Sequence, residues 1–93
     1  MLEFEWDKRK EESNRTKHSI TFAEASTVFA DPLELTISDP DHSEGEYRFL
    51  SIGRSAVGRL LVVAYTESPD NHVRIISARK ATKTEQRYYE QDS

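Results

Sequence analysis

The chain has 93 residues, 35% of them hydrophobic, no cysteine, and a formal net charge of -4. A domain of this size buries roughly 60 to 65% of its unfolded-chain surface, which leaves no room for a second domain or a large internal substrate cavity. The lack of cysteine excludes a disulfide framework, a thiolate nucleophile and a sulfur-based zinc site, and the lack of a long apolar run or a basic-then-apolar leader predicts a soluble, cytoplasmic protein.

Phe4 and Trp6, flanked by acidic residues, predict a short opening strand, with Asp7 capping a polar helix from Lys8 to about Lys17. Thr21-Phe22-Ala23-Glu24 has the spacing of a capping box and starts a second helix from Phe22 to about Ala30. Ile20, Phe22, Ala25, Val28 and Phe29 supply its buried face, and Pro32 ends it by disfavouring helical geometry at Asp31. From Leu33 the period becomes two, with Leu33, Leu35 and Ile37 on one face and Glu34, Thr36 and Ser38 on the other, the pattern of a half-buried strand. Asp39 to Gly45 is dense in turn formers and reads as a loop. A strand from about Glu46 to Ile52, a turn over Gly53 to Gly58, and an apolar strand from Arg59 to Thr66 follow. After a turn at Ser68 to Asn71, His72 to Ala78 forms the last strand, and Thr82 caps a terminal helix from about Lys83 to Glu90. The order predicts one α+β domain over residues 1–93: an antiparallel sheet with two N-terminal helices and one C-terminal helix, the helices on one face and the other face open to solvent.

The net charge conceals an uneven distribution. Residues 1–47 hold five Lys/Arg against twelve Asp/Glu, net -7; residues 48–87 hold eight against three, net +5; the last six add -2. A second half carrying Arg48, Arg54, Arg59, Arg74, Arg79 and Arg87 suits a local phosphate-binding surface, because screening suppresses the distant acidic charge. An ordinary solvated sheet face has the same composition.

Several strings occur in order along nearly the whole chain: Trp6-Asp7, Asn14 and Lys17-His18; Phe22-Ala23-Glu24-Ala25; Val28-Phe29-Ala30-Asp31-Pro32; the loop Asp39-Pro40-Asp41-His42-Ser43 leading to Glu46, Arg48, Ile52 and Gly53; and Arg74-Ile75-Ile76-Ser77-Ala78-Arg79 before Ala81-Thr82, Glu85 and Tyr89. Read jointly, they resemble the BrnT toxin family. The resemblance implies a RelE-like fold, endoribonuclease activity, an RNA substrate, and neutralisation by a cognate BrnA-like antitoxin with a DNA-binding ribbon-helix-helix segment, so that DNA is met only through the antitoxin. Family members often carry Glu-Arg early in the last helix. Here Glu85 is followed by Gln86, and Arg87, one step on, projects about 100° away.

Cutting RNA through its own 2′-hydroxyl needs a base for that proton, positive groups for the phosphorane, and an acid for the departing 5′-oxygen. No cofactor or metal is required. Arginine suits the second role through its permanently charged bidentate fork, which points to Arg48, Arg79 and then Arg74. An exposed strand arginine paired with a carboxylate is the plainer alternative for Arg74. On the catalytic reading, loss of Arg79 lowers the rate and leaves stability nearly unchanged. For proton transfer the candidates are His18, at a helix end whose dipole also explains a histidine, with Lys17 beside it, and Tyr89, whose phenol could serve as acid, stack on a base, or simply pack the helix. Lys17, Arg59, Lys80, Lys83 and Arg87 are the candidate RNA contacts. His72 receives no role. The acidic loop around His42, with Asp39, Asp41 and Glu44, could hold a cation, but its spacing matches no EF-hand and solvated loop carboxylates are the simpler reading. Phe4, Trp6 and Tyr65 read as core. Two further functions fit the same sequence: a catalytically inactive module that only binds the antitoxin and modulates operator binding, and a metal-binding regulatory domain built on the acidic loop.

Overall fold

The computed structural model describes residues 1–39 and 48–91. β1 (Glu3–Trp6) leads into α1 (Lys8–His18). Next, α2 (Phe22–Ser26) tightens into a 3-10 turn over Thr27–Ala30. Four strands follow, β2 (Leu35–Ser38), β3 (Arg48–Arg54), β4 (Leu60–Ser68) and β5 (His72–Lys80), and α3 (Lys83–Gln91) closes the chain. The α+β class and the element order agree with the sequence reading. The first half of the loop expected before β3 is represented only by Asp39; the rest, with His42, Asp41 and Glu44, lies outside the described residues.

Local chemistry explains most boundaries. Asp7 accepts from the Arg9 and Lys10 amides and caps α1. Thr21 accepts from the Glu24 amide, which is half of the expected capping box. The other half is absent, because the Glu24 carboxylate is taken by Arg59 and Ser55. Around α3 the box is complete: Thr82 Oγ1 accepts from the Glu85 amide at 3.2 Å and Glu85 Oε1 accepts from the Thr82 amide at 2.9 Å. Strand β2 starts two residues later than the alternation suggests. Asp31 bends Leu33 and Glu34 into a turn, its carboxylate accepting from the Leu33 amide at 2.9 Å and its carbonyl from the Glu34 amide at 3.1 Å.

The sheet order is β1-β5-β4-β3-β2. The meander from β2 to β5 is antiparallel, as expected, while β1 joins β5 in parallel at the far edge. Parallel pairing needs a long crossover, and everything from α1 to β4 supplies it. Where β1 stops at Trp6, α1 continues the edge: buried Asn14 accepts from the Ala78 amide at 2.9 Å and donates to the Ile20 carbonyl at 3.1 Å.

One face of the sheet carries the main core, where Ile20, Phe22, Ala25 and Val28 meet Leu61, Val63, Tyr65, Val73, Ile75 and Ala78. At Gly53 a Cβ would approach Val28 Cγ1 to 2.8 Å, so a side chain there would drive β3 away from the 3-10 turn. The other face is not open throughout, which corrects the single-layer expectation. Tyr89 of α3 packs there on Ile52 and Val62, with Leu35, Leu50, Leu60 and Ala81 around them. α3 thus covers part of the second face, against β3.

The β4–β5 register changes once. Tyr65 pairs with Ile75 and Ala64 with Ser77, so Ile76 is an extra residue in β5. Ile75 and Ala78 therefore share the core face although they lie three residues apart.

Candidate functional site

That bulge decides where the arginines go. Arg74 precedes it and Arg79 follows it, five residues apart, a spacing that regular alternation would send to opposite faces. The inserted Ile76 restores the parity, and both lie on the face opposite the main core. Arg48 joins them, because Arg48 pairs with Thr66 and Thr66 with Arg74. Arg79 pairs with Val62, which lies beneath Tyr89. Between these two rows lies a third, made of Ser77, Ala64, Leu50 and Ile37. The result is a shallow floor rimmed by Arg48 and Arg74 on one side and by Arg79 and α3 on the other.

Each basic group has a defined setting. Arg79 donates through Nη1 to Glu85 Oε1 at 2.7 Å and through Nη2 to Glu85 Oε2 at 2.8 Å. The Arg79 hydrogen bonds, against a smaller opposing effect of burial and with help from the Thr82 amide, hold the Glu85 carboxyl down to about 2. Nη1 also reaches the Lys80 carbonyl at 3.3 Å. Glu85 thereby occupies the end of the guanidinium, and the edge formed by Nε and the remaining Nη2 hydrogen has no partner among the described residues. Its side chain is 40% exposed. Arg74 sits 3.3 Å from Glu5, and His72, on the same face of the same strand, lies 2.8 Å from Glu3. Arg48 is half-buried.

Other predicted residues are elsewhere. Lys17 and His18 are exposed at the end of α1, the helix that runs along the β5 edge, while Tyr89 is the proton-transfer candidate that shares the arginine face. Arg59 is an internal tie: Nε donates to Glu24 Oε2 at 2.9 Å, Nη2 to the Ser19 carbonyl at 3.2 Å and also to Glu24 Oε1. Hydrogen bonding from Arg59 keeps Glu24 below the usual carboxylate range. Tyr89, 4% exposed, donates to Asp31 Oδ2 at 2.6 Å. Burial and the Asp31 carboxylate push its phenol up, so the hydroxyl keeps its proton and directs it at Asp31. Packing is the reading the geometry favours for both Tyr65 and Tyr89. Lys80 is exposed and pairs with Leu61, pointing by alternation to the core side at the end of the strand. Lys83 is exposed in the first turn of α3, and Arg87 lines a hollow on α3 with Thr84, Tyr88 and Gln91.

Two contributors were not singled out from the sequence. Glu85 stands in a recognisable string but its partnership with Arg79 had no signal in sequence beyond the capping-box spacing. Arg54 lies with its guanidinium 5.7 Å from the Tyr89 ring centroid, and its amide donates to Asp31 at 2.8 Å. Burial works against the Asp31 charge, but the Arg54 amide, the Tyr89 hydroxyl and the Leu33 amide together keep it ionised below the usual range. The division of charge along the chain is also not a division in space. Arg59, Arg74 and His72 of the basic half are each matched by a carboxylate from the acidic half. Among the described residues no three His, Asp or Glu side chains gather as a metal site, and no helix is long and apolar enough to cross a membrane.

Residues 6–85 match the family model described as the ribonuclease toxin BrnT of type II toxin-antitoxin systems. The fold is similar to that of the crystal structure of the Brucella abortus ribonuclease toxin, BrnT, with a TM-score of 0.64 and 20% identity, covering 89% of this chain and 100% of that one. No curated protein matches significantly.

Proposed function

The chain belongs to the BrnT family of ribonuclease toxins of type II toxin-antitoxin systems, and from that premise we propose that it is a metal-independent endoribonuclease that holds the scissile phosphate on Arg48, Arg74 and Arg79. The observation that carries this reading is the gathering of those three side chains on one face by the pairing of β3, β4 and β5 and the bulge at Ile76. The Nε–Nη2 edge of Arg79, which has no partner among the described residues, offers two parallel N–H donors, the geometry that grips two phosphate oxygens. Glu85 fixes the direction of that edge. The RNA 2′-oxygen attacks phosphorus, its proton passes to a base, the arginines stabilise the phosphorane, and the 5′-oxygen leaves with a proton from an acid. Of the two described histidines, His72 shares the arginine face and His18 does not, which makes His72 the better candidate for one of these transfers. Arg87 and Lys83, exposed on α3, are the candidates for contacts with flanking phosphates.

The partner in this reading is a BrnA-like antitoxin with a ribbon-helix-helix segment, and DNA is reached only through it. An anionic or amphipathic antitoxin segment over the arginine face would block RNA directly. Electrostatics would speed its approach, and buried apolar anchors would hold it. The test is induction of the protein alone in a bacterium, together with incubation of the purified protein with single-stranded RNA in EDTA. Growth arrest and cutting in EDTA are expected. Normal growth with abundant soluble protein, or cutting that requires a divalent ion, would overturn the proposal. A second reading, an inactive module that only binds the antitoxin, is favoured by one observation: Arg74 and Arg79 are both already paired with carboxylates.

A further inference from the structure

Beside the arginine face, Leu35, Thr36 and Ile37 of β2, Ile52 of β3, and Tyr88 and Gln91 of α3 enclose a hollow of about 480 Å³, within the size range of small-molecule sites. Its floor continues the floor of the proposed phosphate site. Ile52 pairs with Val62, the partner of Arg79, and Ile37 pairs with Leu50, two residues from Arg48 on the same strand face. Strand spacing puts the backbone of Ile37 about 8 Å from that of Arg48, comparable with the span of one nucleotide. Two large apolar side chains are left uncovered here, with Tyr88 at 61% and Ile37 at 48% exposure. Arg87 lines the adjoining hollow together with Thr84, Tyr88 and Gln91, so a guanidinium stands next to the aromatic wall.

The chemistry of this lining is specific in kind. Aliphatic side chains and a phenol ring accept the flat face of a heterocycle, Gln91 offers a carboxamide that can both donate to and accept from its edge, and Arg87 suits the phosphate attached to it. We propose that the hollow between β2 and α3 is a nucleobase subsite, receiving the base of a nucleotide next to the arginine-bound phosphate and setting the sequence preference of the cut. This inference rests on the ribonuclease reading. An apolar side chain from a protein partner would fill the floor equally well, but it would make no use of Arg87 in the adjoining hollow or of the arginine rows on the same sheet face.

The test uses the full chain with methyl groups of Ile and Leu labelled for NMR, titrated separately with the four nucleoside 5′-monophosphates and with inorganic phosphate. Shifts of the Leu35, Ile37 and Ile52 methyls are expected with at least one nucleotide and not with phosphate alone. Tyr88→Ala, at an exposed position that the fold does not need, should weaken the nucleotide response by about 5- to 150-fold, the loss of one stacked base. In parallel, cut sites in a random-sequence RNA should show a base preference that flattens in Tyr88→Ala. Methyl shifts without any RNA cutting by the unsubstituted protein would overturn the ribonuclease reading and with it the role in cut preference, leaving the hollow as a nucleotide-binding site only. Cutting with no methyl response, or with a base preference unchanged in Tyr88→Ala, would overturn the subsite alone. Shifts of these methyls that follow protein concentration without nucleotide would assign the hollow to a second copy instead.

Discussion

Replacing Glu85 by Gln tests the link between the arginine face and α3. The substitution keeps the size of the side chain and an oxygen for the Thr82 amide, but removes the charge opposite Arg79 and turns one of its two contacts into an encounter between donors. A carboxyl held at about 2 instead of 4.5 corresponds to about 3 kcal/mol if the whole difference stabilised the fold. Arg79 is 40% exposed and Glu85 21%, so solvent screening reduces this to about 1–2 kcal/mol. For a domain of this size that is about 5–10 °C in Tm. The pH dependence has a definite sign. The folded-state value is depressed, so the stabilisation is complete above the ordinary value of 4.5 and fades as pH falls from there toward 2. Urea unfolding of the unsubstituted and Glu85→Gln proteins at pH 7, and at steps down to about pH 3, should show a gap that is widest at pH 7 and narrows on acidification. Other depressed carboxylates, Asp7, Glu24 and Asp31, contribute equally to both proteins and cancel in the difference. A gap of zero at pH 7, or one that stays constant with pH, would show that the pair does not hold α3.

The same pair revises the expectation for Arg79→Ala. RNA cutting should still fall by about 100-fold or more, the value of one lost transition-state donor, but Tm should also fall by several degrees, since Glu85 is left without its partner. Rates are therefore to be compared well below both midpoints, and Arg79→Lys should recover only part of the activity. Tyr89→Phe should cost about 1.5–3 kcal/mol through loss of the bond to the ionised Asp31 while leaving RNA cutting within a few-fold; a large loss of cutting at full stability would return the phenol to the chemistry. Asn14→Ala removes the partners of two buried backbone groups, the Ala78 amide and the Ile20 carbonyl, and should cost about 2–4 kcal/mol in urea unfolding. A cost under about 0.5 kcal/mol would show that water replaces the amide.

Local signals made most of the fold legible. Caps at Asp7, Thr21 and Thr82, the alternation through β2, and the apolar run of β4 each rest on residues within a few positions of one another, which is the range over which sequence periodicity carries information. Long-range choices were not visible. Nothing in Phe4 and Trp6 says that their strand will lie parallel to the last strand, because pairing direction depends on where the crossover returns. Nor does the string from Lys83 to Gln91 reveal the face it will cover; its apolar members, Tyr88 and Tyr89, are adjacent, and only packing decides that Tyr89 turns to the sheet while Tyr88 stays exposed. Pairing partners were hidden for the same reason. Arg59 and Glu24, 35 residues apart, form an internal tie where residue type alone suggested an RNA contact.

The candidate site shows the limit most sharply. Residue type was enough to nominate Arg48, Arg74 and Arg79, but strict alternation contradicts their acting together, since an odd separation along a strand means opposite faces. One extra residue removes the contradiction. Ile76 carries no turn former and no glycine that would mark a bulge, so the sequence around it reads as a regular strand. Its effect is to keep Val73, Ile75 and Ala78 in the core while Arg74 and Arg79 both face outward. The bulge therefore satisfies two demands at once, an unbroken apolar layer beneath the helices and a shared face for arginines that the core alone would have driven apart. A phosphate-binding surface on this sheet depends on that single register change as much as on the arginines themselves.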